Sequence, residues 1–363
     1  MSSTITAIGT ANPEYRFPQM KILEFMSTAH NLDELNGSRL KKLYDASGIQ
    51  FRYSVIPDFG VSRGTFTFFG NDGNLEPFPG TKKRSDFYEN NAKDLAIQAL
   101  KNLKESFEFN LADATHLITV SCTGMYAPGL DIDLVQEMQL AETIERTCIN
   151  FMGCYGAFNA LKMADYICRA NVEAKVLIVD VELCTLHFQR ENTMENWVAN
   201  SLFADGAAAV LVEHNKGDKH GLALKCFYNT LVTEAKDEMA WRIGDYGFEM
   251  RLSSGIARNI GKKINKVADD LAAKAGISRT SINRTAIHPG GRRILEVCEQ
   301  VLDLPEEALD ISYDILRQYG NMSSVTILFI LKRLLKEALR GENIMTFAFG
   351  PGLTVETMVI EAI

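Results

Sequence analysis

Apolar positions along the chain change their period after the first hundred residues. From Phe17 to His30 (FPQMKILEFMSTAH) and from Phe87 to Phe107 (FYENNAKDLAIQALKNLKESF) they recur at helical spacing, with a loop rich in Gly, Pro and Asp from Asp58 to Gly80 between them. From His116 onward short β-branched apolar runs appear, HLITVSCTG, AKVLIVDVE and GAAAVLVE, separated by helical segments. That alternation predicts a sheet covered on both faces, and hence an α/β fold. The polar stretch Glu213–Gly221 breaks the pattern and marks a junction between an N-terminal half, 1–214, and a C-terminal half, 222–363. A second α/β series follows, with helices expected over 255–276, 291–302 and 322–340. HLITVSCTG in the first half and RTAIHPGG in the second are each an apolar strand running into a Gly-containing turn. Open α/β sheets place reactive groups at such strand ends, which narrows the search for chemistry to a few loops.

The length, 363 residues, exceeds the roughly 250–300 at which one hydrophobic core stops growing, in keeping with two halves. With 46% hydrophobic and 23% charged residues the chain has the composition of an ordinary soluble globular protein. A net charge of -8, with no basic stripe, argues against nucleic acid as a partner. The seven cysteines are scattered and show neither CxxC nor Cys/His ligand spacing, so a disulfide framework and a zinc site are both disfavoured. No apolar run reaches the ~18 residues of a membrane span, and the start MSSTITAIGTANPEYRF lacks a signal-peptide layout. A cytoplasmic location is expected.

Three residues carry candidate chemistry. Cys154, in FMGCYGAF, sits where a small-residue turn enters a helix, and a helix N-terminus favours the nucleophilic thiolate; a small buried cysteine is the plain alternative. His288 ends an apolar strand in AIHPGG, where a hydrogen-bonding structural histidine is the commoner case. Asn321 opens YGNMSSVTILFILKRLL and reads as a helix N-cap.

Taken together, Cys154 in FMGCYGAF, His288 in IHPGG, Asn321 in YGNMSS, LFADGAAA around Phe203 and the ending FGPGLTVETMVI resemble the type III polyketide synthases, the chalcone-synthase-like branch of the thiolase superfamily. The resemblance runs from about Ile5 to the C-terminus. It implies a five-layered αβαβα fold of two duplicated halves and a homodimer. It also implies an acyltransferase that condenses an acyl-CoA starter with malonyl-CoA, without a carrier protein or any cofactor. Cys154 would carry the acyl group, its thiolate stabilised by the His288 imidazolium. His288 and Asn321 would donate to the malonyl thioester oxygen as carbon dioxide leaves. Phe203 would be the aromatic gate between the CoA tunnel and the reaction cavity.

The departures from the plant pattern concern the cavity. Met250 stands at the second gate position, Trp241 replaces a small glycine, Cys122 and Thr123 replace a threonine and a serine, and Cys184 and His187 replace two further threonines. Ser323 completes the expected lining. Ala127 replaces a methionine that reaches across the dimer interface. Arg39 and Lys42 keep two of three CoA-binding cations, and Ala46 has lost the third. The segment MAWRIGDYGFEMRLS looks closer to microbial members acting on fatty acyl starters, so an aliphatic starter and a pyrone, resorcinol or phloroglucinol-type product are expected. Two other enzymes share the residue order. A papain-like hydrolase fails for want of its local cysteine signature. A ketoacyl synthase III, using acyl carrier protein, stays open as the nearest alternative.

Overall fold

The computed structural model describes residues 2–215 and 220–363, so part of the expected polar junction, 216–219, lies outside the described residues. The chain opens with strand β1 (Ser2–Ala11), the short strand β2 (Tyr15–Pro18), helices α1 (Gln19–Ala29) and α2 (Glu34–Ala46), strand β3 (Phe51–Ser54) and the long helix α3 (Thr81–Ser106). Then come β4 (His116–Ser121), α4 (Leu130–Glu137), β5 (Glu145–Asn150), α5 (Gly156–Ala170), β6 (Lys175–Leu183), α6 (Met194–Leu202) and β7 (Asp205–Asn215). The second half holds β8 (Leu222–Leu231), the hairpin β9 (Met239–Gly244) and β10 (Gly247–Leu252), and α7 (Ile256–Ala275). It ends with β11 (Ile282–Ile287), α8 (Arg292–Leu302), α9 (Asp310–Tyr319), α10 (Val325–Glu337), β12 (Asn343–Gly350) and β13 (Thr354–Ala362).

Nine strands form one mixed sheet in the order β11-β12-β13-β8-β1-β7-β6-β4-β5. Its midpoint is thin: β1 and β8 pair antiparallel through only Thr4↔Ala223 and Ile5↔Leu222. On either side of that seam the same plan repeats. In the first half β4 runs parallel to β6, β6 antiparallel to β7, and β7 antiparallel to β1. In the second, β11 runs parallel to β12, β12 antiparallel to β13, and β13 antiparallel to β8. The likeness between HLITVSCTG and RTAIHPGG is thus a duplication, with β4 and β11 in equivalent places. Only β5 lacks a strand counterpart, and α9 occupies its place in chain order.

Three apolar clusters separate five layers. The first packs α3 on the outer face of the first half-sheet through Ala92, Ala96, Ala99 and Leu103 against Ala7, Val179 and Ala209. The contact is close: a Cβ on Gly9 would lie 2.1 Å from the Ala99 carbonyl oxygen, so β1 can meet α3 only with hydrogen at that position. The second cluster encloses α5 and α10 between the half-sheets, joining Ile118, Ile178 and Val210 to Ala286, Ile344 and Ile360. The third packs α7 and α8 outside the second half-sheet, where Ile256, Ile260, Ile264, Val267 and Leu271 form one stripe of α7. Helix α10 is of another kind. Every residue from Val325 to Leu331 is buried, as a helix between two sheets requires, and its i→i+4 bonds satisfy the backbone polar groups that water cannot reach.

The helices expected over 255–276 and 291–302 are found within a residue of those bounds. The one expected over 322–340 is shorter. Ser323 takes a left-handed φ of 50°, which keeps 322–324 as a turn, and Ala338 is extended. Among the described residues no helix is long and apolar enough to cross a membrane.

Candidate active site

Both members of each duplicated pair of turns open into one cavity of about 320 Å³. Cys122 follows β4 directly and His288 follows β11; Cys154 precedes α5 and Asn321 precedes α10. Of the residues named from the sequence, Cys154, His288, Asn321, Phe203, Met250, Cys122, Thr123, Cys184, Trp241 and Ser323 all line this cavity. His187, Arg39 and Lys42 do not.

Cys154 lies in the turn Gly153–Tyr155, two residues ahead of the first helical residue Gly156. Gly153 has φ +80°, and a Cβ there would meet Pro351 Cδ at 2.3 Å, so this turn needs glycine. The thiol is buried, with the Ser323 and Asn321 side chains in hydrogen-bonding reach. Burial pushes it from its ordinary 9.0 up to about 12, equivalent to about 4 kcal/mol against the thiolate. A helix N-terminus returns at most about 2 kcal/mol. The helix end thus offsets part of the cost of burial at Cys154, in the direction its place in the sequence implied, and a nearby positive charge would offset more.

His288 is 1% exposed, its backbone N–H bound to the Phe347 carbonyl at 2.8 Å. Both ring nitrogens lack partners, and burial pushes the imidazole down to about 3. A buried polar group left free at a cavity wall is a group held for a ligand. Asn321 is not an N-cap, since Ser324 holds that position and α10 begins at Val325. Its backbone instead bridges to the segment of Phe203, donating from N–H to the Leu202 carbonyl at 2.9 Å and accepting from Ala204 N–H at 2.8 Å. Its side-chain Oδ1 accepts from Ser323 N–H at 2.9 Å, and Nδ2 donates to the Gly290 carbonyl at 3.1 Å. These partners fix the amide orientation and leave one N–H of Nδ2 on the side of the thiol.

The remaining wall is mostly apolar. Trp241 is fixed by a hydrogen bond from Nε1 to the Cys122 carbonyl at 2.7 Å, and Cys122 Sγ accepts from Gly153 N–H at 2.8 Å. The Thr123 hydroxyl is turned away to Glu182 at 2.8 Å. His187 is a correction to the expected lining. It stacks on Phe248 at 4.2 Å, donates from Nε2 to the Thr123 carbonyl at 2.7 Å and accepts from Phe248 N–H at Nδ1 at 2.9 Å. With both nitrogens used it stands behind Trp241 as a neutral support, pushed down to about 3 by burial and by Arg84. It faces a separate void of about 30 Å³ that shares Cys184, Phe203, Trp241 and Met250 with the main cavity.

Two contributors went unread in the sequence. Arg293, the second residue after the glycines of IHPGG, brings a largely exposed guanidinium to the cavity mouth. Arg52 is buried and donates to the carbonyls of Asn200 and Phe203, both at 2.8 Å, which anchors the segment of Phe203. A cation inside the short apolar strand FRYS was the available signal. Arg39 and Lys42 are exposed on α2, a helix that approaches the same segment through Tyr44, whose hydroxyl donates to the Asn200 carbonyl at 3.1 Å.

Comparison with known proteins decides the family. Residues 2–216 match the N-terminal domain of the chalcone and stilbene synthases, and residues 223–363 match their C-terminal domain. The chain belongs to that family. It is an acyltransferase of the type III polyketide synthase class, with the thiolase-like fold. It is 30% identical over 339 residues to the "alpha-pyrone synthesis polyketide synthase-like Pks18" of Mycobacterium tuberculosis, covering 92% of this chain and 84% of that protein. Type III polyketide synthase C of Arabidopsis thaliana is 28% identical over 366 residues, covering 98% and 94%. Among solved structures, a polyketide synthase of the brown alga Ectocarpus siliculosus superposes with a TM-score of 0.93 at 29% identity, covering 100% of this chain and 98% of that one. The C-terminal type III synthase domain of Steely1 from Dictyostelium gives 0.92 at 25% identity, covering 100% and 99%.

The site makes a pH prediction. The expectation that His288 takes the proton of Cys154, so that two opposite charges form together in the shared cavity, is testable through the reactivity of the thiol. In His288→Ala, alkylation by iodoacetamide should be slow at pH 7 and climb about tenfold per pH unit toward pH 10, as a lone thiol does. Asn321→Ala should leave the neutral-pH rate within about threefold of the parent. Equal losses in the two variants would contradict the division.

Proposed function

We propose that this synthase primes Cys154 with an aliphatic acyl group from its CoA thioester and extends it with malonyl-CoA, with no carrier protein. A short pyrone or resorcinol is then released. The carrying observation is that a thiol, two unpartnered imidazole nitrogens and an amide N–H turned to the thiol share a cavity otherwise walled mostly by apolar side chains. Cys154, as thiolate beside the His288 imidazolium, attacks the starter thioester and CoA leaves. Malonyl-CoA then places its thioester oxygen against His288 and the free N–H of Asn321. Loss of carbon dioxide leaves an enolate there, and donors already aimed at its oxygen stabilise it at little reorganisation cost. The enolate carbon attacks the acyl thioester on Cys154. Phe203 and Met250 present apolar faces at the entrance, which disfavour the malonyl carboxylate and so promote its loss. The CoA phosphates, outside the cavity, would meet Arg293 at the mouth and Arg39 and Lys42 on α2.

The wall selects the starter. Trp241, Met250, Met239 and Ile256 reward aliphatic length by about 0.8 kcal/mol for each buried methylene, and offer few hydroxyls to a phenolic group. The pyrone-forming role printed for the mycobacterial relative supports such a product. The cavity is small for a ligand site, and Trp241 divides it from the 30 Å³ void behind. We expect kcat/KM to rise with chain length from acetyl-CoA, peak at a medium chain and fall, with coumaroyl-CoA poor throughout. Trp241→Ala should move the peak to longer chains. A preference for coumaroyl-CoA would contradict the aliphatic assignment, and dependence on an acyl carrier protein would favour the ketoacyl synthase reading.

A homodimer is also proposed. Strand β5 ends the sheet with most of its residues exposed, and Met125 and Ala127 lie exposed in the loop after neighbouring β4. An open sheet edge beside apolar surface is what a second copy would cover. Sedimentation should give the mass of two chains; the mass of one would count against it. Seven free thiols fit a reducing, cytoplasmic setting.

A further inference from the structure

Beneath the cavity lies a pair of carboxyls that the condensation chemistry does not use. Asp180 and Glu182, two residues apart on β6, are both fully buried on the face turned to α5 and α10. One hydroxyl joins them: Ser324 Oγ lies 2.9 Å from Asp180 Oδ1 and 2.7 Å from Glu182 Oε1. A serine hydroxyl has a single proton, so it donates to one of these oxygens, and the other must carry a proton of its own.

The surrounding donors say which. Glu182 Oε2 accepts from the Cys122 backbone N–H at 3.0 Å and from the Thr123 hydroxyl at 2.8 Å. The Thr123 oxygen already accepts from Leu183 N–H at 2.8 Å, so its proton is free to go to Glu182. Ser323 also reaches Glu182. Asp180 has no such support: its Oδ2 has no partner at all. Tyr88 from α3, Cys122 after β4, Cys154 before α5 and Cys184 after β6 all feel the charge of Glu182, and none of these four side chains brings a positive charge to the pair. A bare buried carboxylate oxygen beside a second anion is the costly arrangement, and a donor-rich carboxylate beside a neutral acid is the cheap one.

We infer that Asp180 is a protonated carboxylic acid at neutral pH, donating from Oδ1 to Ser324, which donates in turn to an ionised Glu182, and that it acts through this chain as a positioning residue for Cys154. Burial pushes both carboxyls above their ordinary range, and the charge of Glu182 pushes Asp180 further in the same direction, which agrees with the proton resting on Asp180. The chain ties three turns together. Glu182 grips the 122–123 turn, Ser323 spans from Glu182 to the thiol, and Ser324 lies under the first turn of α5, where a Cβ on Gly156 would come within 3.5 Å of its Cβ.

The sign of the pH effect follows. An acid whose proton is held more tightly in the folded chain than in the unfolded one loses stability as pH rises between the two values. Asp180→Asn keeps an N–H donor and cannot lose it, so its melting temperature should gain on the parent steadily from pH 5 to pH 9. Infrared spectra of protein labelled with ¹³C-aspartate should show a protonated carboxyl carbonyl at pH 8 that disappears in Asp180→Asn. Asp205, raised to about 7, is mostly ionised by then and cancels in the difference. Asp180→Ala should lower kcat/KM about tenfold or more, and Asp180→Asn should recover most of it. Absence of the band, or an Asp180→Asn protein that loses stability relative to the parent as pH rises, would overturn the inference. The activity comparison rests on the proposed synthase reaction, whereas the spectra and melting curves do not, so failure of one is distinguishable from failure of the other.

Discussion

Helix α10 can be stable only between two sheets. Seven consecutive buried residues leave it no face for water, and the seam between β1 and β8 lets the two half-sheets close over it and over α5. Both enclosed helices start at the same edge of the layers, so the turns that feed them, at 153–155 and 321–324, are delivered to one place. The strand ends at Cys122 and His288 arrive there because they sit in equivalent positions of the two halves. The site is a consequence of how the duplicated sheets bury their shared helices, and neither half holds it alone.

The duplication also shows how equivalent positions divided their work. After β4 stands a thiol that accepts a backbone N–H and whose carbonyl holds Trp241; after β11 stands an imidazole with both nitrogens free. Ahead of α5 stands a thiol, and ahead of α10 an amide whose oxygen is tied down and whose nitrogen is partly free. In the strand-end pair one member is fastened into the scaffold, while the other is left with unmatched ring nitrogens. Orphaned polar groups at 1% exposure are costly, and at the cavity wall the ring nitrogens of His288 are placed where a bound oxygen would complete them.

Much of this was legible in the sequence. The periods of the apolar runs announced the strands β4, β6 and β7 and most long helices, because the buried faces of regular elements repeat at fixed spacing. The Gly-containing turns pointed to residues that line the shared cavity, since positive φ and close approach leave a mark in residue type. What sequence could not carry was direction. His187 and Trp241 are neighbours, yet stacking on Phe248 turns one into the support and the other into the wall. Asn321 has the composition of a cap, but the left-handed Ser323 moves the helix start past it. At Cys154 burial opposes the helix end, and the extent of burial is not written in residue order. The buried pair Asp180 and Glu182 looks, in AKVLIVDVE, like two interruptions of an apolar strand, and only three-dimensional partners show that one hydroxyl serves both.

In the proposed reaction Cys154 is the one residue that holds the growing chain. The most direct measurement is peptide mapping by mass spectrometry after incubation of the purified chain with an aliphatic acyl-CoA and no malonyl-CoA. The account predicts a single acyl adduct on the peptide containing Cys154, with Cys122 and Cys184 unmodified although they line the same cavity. An adduct on either of those two thiols, or acylation that persists in Cys154→Ala, would contradict it.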